Sequence, residues 1–333
     1  EDLDLLLNEW AEMLNVAKQH ERSDVVWRQI VANFPDSPFA DEGQLQLAIS
    51  DINASKFDDA RAKLRSLVAD EQITPQRREE AMFRLAAIEE EQEQWDASAD
   101  WAERMLADYP EGKHAWAARM FSARSDYKRE LFDKARPKLD ELRAARDQIV
   151  TVDGTPVSDS KTVGDFNWFP GVWIMLADIA LREKRHDDVA AIVEEFHTTS
   201  PKSPFLHHAD ELLGRSLSAQ AKFEEARAAF QRVTESESGK NTETAAKSQF
   251  LLAESYFHQK NYEQAIAEYL KVDILYDFPE HQSASLYGAG LCEENLKHWK
   301  KAAETYKQLL ERFPDSTFAH KAKERLAAVQ RKV

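Results

Sequence analysis

The chain is 333 residues long, with 43% hydrophobic and 31% charged side chains, 9 Gly and 11 Pro, a composition that describes a folded protein and gives no ground for long disorder. A formal net charge of -16 and a pI of about 5.2 disfavour a broad phosphate-binding surface, so no nucleic acid partner is expected. The single cysteine, Cys292, excludes an internal disulfide framework and any multi-cysteine metal site, and no apolar run approaches the ~20 residues that span a bilayer.

From the N-terminus onward, helix formers dominate and apolar residues recur at helical spacing. Three marks repeat: a small residue, a ring nine positions later, and a second small residue three beyond that. In chain order they fall at Ala11, His20, Ser23; Ala48, Phe57, Ala60; Ala86, Trp95, Ser98; Ala123, Phe132, Ala135; Ala177, His186, Val189; Gly214, Phe223, Ala226; Ala253, Tyr262, Ala265; and Gly290, Trp299, Ala302. The first marks are separated by 37, 38, 37, 54, 37, 39 and 37 residues, so one interval is long by about 17.

Each copy predicts a pair of amphipathic helices joined by a tight turn. The small residues let two helix axes approach, and the ring fills the wedge at the turn. Apolar residues sixteen and nineteen after the first mark, such as Phe230 and Val233 or Tyr306 and Leu309, give the second helix its buried stripe. Several second helices are expected to stop at an aromatic-Pro step: Phe34-Pro35, Tyr109-Pro110, Phe278-Pro279 and Phe313-Pro314. The Asp-Ser pairs that follow, Asp36-Ser37 and Asp315-Ser316, suit the cap of the next helix.

The long interval is taken up by residues 147–170. Val152-Asp153-Gly154-Thr155 predicts a short hairpin, and the insert either divides two halves or folds back over a groove. The chain therefore reads as repeats one to four over 1–146, an inserted loop or hairpin over 147–170, repeats five to eight over 171–314, and a charged terminal helix over 315–333 that closes the last apolar face.

These marks resemble the tetratricopeptide repeat, across about residues 3–314. The resemblance rests on the first small residue (Gly214, Ala253, Gly290), the turn ring (Phe223, Tyr262, Trp299), the second small residue (Ala226, Ala265, Ala302), the second-helix ring (Phe230, Tyr269, Tyr306) and the closing Pro (Pro110, Pro201, Pro314). It implies an all-α, right-handed superhelix of about eight helix pairs plus a C-terminal capping helix. The repeats are longer than the family's usual unit, so longer inter-helix loops are expected. The closing Phe-Pro-Asp-Ser with an aromatic and Ala (34–40 and 313–319) is similar to a sub-class found in bacterial envelope proteins, among them outer-membrane assembly lipoproteins and the periplasmic Tol-Pal coordinator. That similarity implies a periplasmic or envelope location, with the cytoplasm as the alternative. A start at Glu1-Asp2 rather than Met is read as a processed or excised chain, compatible with a lipid anchor.

In this family the first helices line the concave face and hold a protein or peptide partner. Carried onto this sequence, that places Phe83, Met120, Arg124, Tyr127, Arg215, Phe250, Phe257 and Tyr287 at inward positions, where aromatics and Arg serve as anchors. The competing reading packs these rings against the adjacent repeat. Trp168, in the ring-rich loop 165–170, is either a contact or a staple that fixes the loop. The carboxylate clamp of chaperone-binding relatives is not expected, because no Lys or Asn stands three before or one after the marks.

No catalytic residue, metal site or cofactor is expected. His197, His207, His208, Asp210 and Glu211 cluster without a metal-ligand spacing, and no glycine-rich phosphate loop or nucleophile elbow occurs. The leading expectation is a non-catalytic scaffold for a peptide or protein segment, with a place in cell-envelope assembly as the narrower form. The alternative is a regulatory or sensor module of a longer enzyme or regulator.

Overall fold

The computed structural model describes residues 3–152, 154–158 and 161–333. Its helices come in pairs that follow the sequence marks. The first helices are α1 (Leu3–Val16), α3 (Ala40–Asn53), α5 (Pro75–Glu91), α7 (Ala115–Lys128), α9 (Pro170–Arg182), α11 (Leu206–Ala219), α13 (Glu243–His258) and α15 (Pro279–Asn295). The second helices are α2 (His20–Asn33), α4 (Phe57–Ala69), α6 (Trp95–Asp108), α8 (Phe132–Ala144), α10 (His186–Thr199), α12 (Phe223–Glu235), α14 (Tyr262–Leu275) and α16 (Trp299–Arg312). Every second helix begins on the turn ring of its repeat. A last helix, α17 (Ala319–Gln330), follows. The chain divides into two compact units, Glu1–Phe169 and Pro170–Val333.

Within each pair the turn is three residues long and closes in the same way. The residue seven after the first mark adopts a left-handed conformation in all eight repeats: Lys18, Ser55, Glu93, Glu130, Lys184, Ala221, Lys260 and Lys297, with φ between 56° and 62°. The N–H one residue later donates to the carbonyl five residues back, as in Asn261 to Tyr256 (2.9 Å) and His298 to Glu293 (2.9 Å). This six-to-one bond satisfies a carbonyl that the helix end would leave orphaned. None of the eight residues is Gly or Asn, so each side chain meets the steric cost of this region, roughly 1–2 kcal/mol.

The extra repeat length lies partly between repeats and partly in longer first helices, α5 and α15 having 17 residues and α13 having 16. The connections are six residues at 34–39 and 109–114 and seven at 236–242, while the turns within repeats remain short. Phe34, Tyr109 and Phe313 leave the helical conformation and end their helices as expected, with φ of -134°, -136° and -132° and ψ of 56°, 64° and 57°. Phe278-Pro279 departs from expectation. Helix α14 already ends at Leu275, and Pro279 opens α15, where the missing N–H is no loss. Asp36-Ser37 and Asp315-Ser316 do not cap the next helices either. The residues before them are Phe39 and Phe318, and neither helix has a side-chain cap. Ser37 instead accepts from the Phe39 N–H at 3.2 Å and donates to Asp4 at 2.6 Å.

The core is a row of small residues and rings. Ala11, Ala48, Ala86, Ala123, Ala177 and Ala253 are fully buried. Where the first mark is glycine, a ring occupies the space of the missing methyl. A Cβ on Gly214 would stand 2.4 Å from Phe230, and one on Gly290 would stand 2.4 Å from Tyr306. In repeat seven the mark is Ala253, and Tyr269 lies instead under Gly288 of the following helix, 2.6 Å from its would-be Cβ. Cys292 is buried beside this ring, and burial pushes its thiol up to about 12, so it is a packing residue.

The insert belongs to the first unit. Strands β1 (Thr151–Val152) and β2 (Thr155–Pro156) pair antiparallel, with Val152 opposite Thr155. Gly154 at φ 76° serves the turn; the Asp153 part of the predicted hairpin signal lies outside the described residues. The Val150 N–H donates to Lys161 (2.8 Å), the Val163 N–H to Gln148 (3.0 Å) and the Gly164 N–H to Arg146 (2.8 Å), so the segment is zipped to itself and to the end of α8.

Candidate functional site

The first helices pack side by side within each unit, α3 on α5 on α7 in one, and α9 on α11 on α13 on α15 in the other. Positions three before, one after and four after the first mark therefore form a row on each unit's first-helix face, and the rows are described separately.

In the first unit, Phe83 on α5 is half-buried. Its ring stacks on His114 (centroids 4.1 Å apart, 12° between planes) and on Phe121 (5.7 Å), so much of its area is spent on the next repeat. His114 in turn reaches Glu80 at 2.6 Å. Burial alone would raise the Glu80 carboxyl, but His114, Arg84 and Lys113 outweigh it and hold it down to about 2. Arg124 on α7 crosses to Glu90 on α5 at 2.6 Å. Burial dominates at Glu90 and raises its carboxyl despite the guanidinium. Tyr127 is half-buried, with the Phe132 ring 6.1 Å away. Met120 is 1% exposed: its side chain packs, and offers no surface on this face. Trp168 in the insert is half-buried in a ring stack, 5.1 Å from Phe166 and 5.9 Å from Phe169, and Phe169 is fully buried.

In the second unit, Glu211 on α11 accepts from Lys247 of α13 at 2.7 Å, and Arg215 stands 3.7 Å from the same carboxylate. Phe250 tilts against Tyr269 (5.6 Å), and Phe257 meets Tyr262 edge-on (5.6 Å, 67°). Tyr287 lies between Tyr306 (6.1 Å) and Phe318 (5.4 Å). All three rings are half-buried, so each packs with one side and leaves the other to solvent. Two carboxylates on the same face are supplied from below. The Tyr269 hydroxyl donates to Glu254, and the Tyr306 hydroxyl donates to Glu294 at 2.7 Å. Arg325 also donates to Glu294, at 2.9 Å. Burial, reinforced by the acceptor carboxylates, raises both phenols well above their ordinary range, so these hydroxyls remain donors at any working pH. Nothing in the sequence marks Glu254 and Glu294 as acceptors for rings fifteen and twelve residues away.

The acid-histidine cluster is resolved into ordinary pairs. Asp210 accepts from Arg232 (2.6 Å) and faces His197 (3.1 Å), His207 bonds the Pro204 carbonyl (2.8 Å), and Glu211 serves Lys247. Among the described residues no group of three His, Cys, Asp or Glu side chains is placed to hold a metal ion. Among them, too, no helix is long and apolar enough to cross a membrane.

Three family models match, all of tetratricopeptide type: a tetratricopeptide repeat-like domain over residues 8–101, and tetratricopeptide repeats over 212–278 and 284–316. No curated protein matches by sequence. Among solved structures the chain is similar to a tetratricopeptide repeat protein of Parabacteroides merdae, with 11% identity and a TM-score of 0.55 over 87% of this chain and 98% of that one. It is similar to pilF of Pseudomonas aeruginosa (14% identity, TM-score 0.51, 74% of this chain and 97% of that one). It is also similar to a signal transduction ATPase with numerous domains and a tetratricopeptide repeat sensor from Pyrococcus horikoshii (16% identity, TM-score 0.60, 98% of this chain), of which it spans 50% of the length. At these identities the likeness speaks to the fold alone. The helix pairs, the eight-fold marks and the matched models agree, and the chain belongs to the tetratricopeptide repeat family.

Proposed function

We propose that the chain is a non-catalytic scaffold that holds a peptide or protein segment on its first-helix faces. The tetratricopeptide fold supports a protein-interaction scaffold in general. The observation that carries the placement is the row of half-buried rings on consecutive first helices of the second unit, Phe250, Phe257 and Tyr287, beside the half-buried acceptors Glu254 and Glu294. A ring fixed on one side and wet on the other can anchor a ligand with little further loss of freedom, and a carboxylate already fixed by a phenol can accept from a partner's backbone N–H. In the first unit Phe83, Arg124 and Tyr127 are the corresponding anchors. Met120, being buried, contributes support rather than contact, and Trp168 is a loop staple first.

The narrower reading is a role in cell-envelope assembly, in the periplasm or at the envelope. The Phe-Pro-Asp-Ser steps at 34–37 and 313–316 support it. The second reading is a sensor or regulatory module, favoured by the fold likeness to the archaeal ATPase's sensor-bearing chain. The test is affinity capture with the wild-type chain and with a Phe250→Ala/Phe257→Ala variant shown by circular dichroism to keep its helicity. Loss of specific partners from the variant is the expected result. An unchanged set of partners rejects the placement on this face.

A further inference from the structure

The joints between repeats show how this fold fills the groove on its second-helix side. In two repeats the residue thirteen after the first mark is an arginine laid across the first helix of the next repeat. Arg61 on α4 grips Glu89 on α5 with two bonds of 3.0 Å. Arg227 on α12, 5% exposed, lies over the Tyr256 ring of α13 (4.1 Å) and donates to Ser255 (3.1 Å) and Gln259 (2.8 Å). In the joint between α6 and α7 the same position is Ala99, but Arg129 at the end of α7 brings a guanidinium back to Asp96 at 2.7 Å. A planar, weakly hydrated guanidinium suits such a groove, because its face rests on apolar surface while its edge serves several acceptors.

The joint between α10 and α11 lacks the cation and keeps the groups that receive it. The residue thirteen after the mark is Ala190, and in its place stands a cavity of about 530 Å³, floored by Leu213 and Leu217 of α11 and open between α10 and α12. Leu217 holds the position of Tyr256 under Arg227, and Ser216 and Gln220 hold the positions of Ser255 and Gln259. Gln220 donates to the Ser216 carbonyl (3.2 Å), and its amide oxygen has no donor among the described residues. Glu194 and Glu225 line the rim, both exposed, and neither is in an ion pair among those residues. The far end is closed by Arg232 and His197, whose polar heads already meet Asp210 at 2.6 and 3.1 Å.

We propose that this cavity is a docking site for an arginine side chain of a partner protein. The guanidinium lies flat over Leu217, as that of Arg227 lies over Tyr256, with its edge toward Gln220, Glu194 and Glu225. Its stem leads out between α10 and α12. An aliphatic side chain would cover the same floor but leave both carboxylates without a partner, and a lysine would bring a single, more strongly hydrated charge. This surface lies on the second-helix side, separate from the first-helix rows proposed above, and the two readings stand or fall independently.

The probe is N-acetyl-arginine amide, titrated into the 333-residue chain carrying labelled Ala, Leu and Val methyls and followed by NMR. The methyls of Ala190, Val193, Leu213, Leu217 and Ala228 should shift together and saturate, with half-saturation at about 1–10 mM, the range open to so small a ligand. Binding should weaken several-fold as salt rises from about 50 to 500 mM. It should weaken by about fivefold or more in Glu194→Gln/Glu225→Gln. Glu304→Gln, altered at an exposed acid on α16, should bind like wild type. Ala190→Arg should supply the guanidinium from within, as Arg227 does, keep its helicity by circular dichroism, and bind no probe. N-acetyl-citrulline amide, of the same shape without the charge, should not saturate. Absence of saturation by the arginine probe, binding that persists in Ala190→Arg or ignores the two carboxylates, or binding that the citrulline compound or N-acetyl-leucine amide reproduces, overturns the proposal. So does free arginine binding about tenfold tighter than the capped form, which would assign the cavity to a small molecule rather than to a protein side chain.

Discussion

Replacing Gly290 with alanine separates two opposed effects whose sizes the structure supplies. In an exposed helix the change would stabilise by about 1 kcal/mol, from propensity alone. Here the new Cβ would stand 2.4 Å from Tyr306 Cε1, 2.7 Å from Cζ and 2.9 Å from Cδ1, where ordinary contact begins near 3.4 Å. The ring must retreat by roughly 1 Å, but it is fully buried and its hydroxyl is tied to Glu294 at 2.7 Å. Overpacking of this kind costs about 1–3 kcal/mol, and a strained bond to a carboxylate adds up to about 1.5–3 kcal/mol. The expected net effect is a loss of about 1–4 kcal/mol. Urea denaturation followed by circular dichroism measures it, fitted with more than one transition if the repeats do not unfold together. Adding Tyr306→Leu should relieve the clash, with a coupling above about 1 kcal/mol between the two substitutions. A Gly290→Ala chain as stable as wild type, or strict additivity in the cycle, would refute the packing argument.

Three further outcomes follow from the same structure. At the left-handed turns, Ala221→Gly and Lys260→Gly should each stabilise by about 0.5–1 kcal/mol: the steric strain is removed and part of the gain is offset by a freer unfolded chain. The two sites lie in different repeats, so their effects should add in thermal or urea melts. Glu80→Gln should destabilise by about 2–3 kcal/mol near pH 5.5. Because the folded carboxyl is held down to about 2, the native pairing stabilises above the ordinary Glu range, and the gap to the variant should shrink as pH falls from about 5 toward 2. A gap that widens on acidification would contradict that sign. Cys292, buried with its thiol pushed up to about 12, should resist iodoacetamide at pH 8 in the native chain and react fully in urea; rapid native labelling would place the thiol outside the core.

The helix pairs were legible because the residues that repeat are those that build them. His20, Phe57, Trp95, Phe132, His186, Phe223, Tyr262 and Trp299 each open a second helix, as their constant offset from a small residue implies. The turn before them was not legible in detail. Lys18, Ser55 or Glu93 gives no hint of a left-handed backbone, since tertiary packing imposes it on residues with no preference for it. Asp36-Ser37 misled for the converse reason: good capping chemistry was present, but Ser37 was drawn to Asp4, 33 residues away. At the first-helix face the family resemblance pointed to Phe250, Phe257 and Tyr287, but it could not weigh packing against exposure at Met120, which is 1% exposed.

The ring and glycine arrangement has a consequence for how such a sequence can vary. Phe230 and Tyr306 sit under glycines of their own repeats, while Tyr269 sits under Gly288 of the next helix. The ring and its glycine are therefore one unit of inheritance split between two positions. Losing the glycine first creates a clash, and losing the ring first leaves a void. A lineage can move the glycine from one helix to its neighbour only by a paired change or by passing through a weakened intermediate. Among related chains the two positions should accordingly change together, and the repeats that keep alanine at the mark should be the ones whose ring leans toward the following helix.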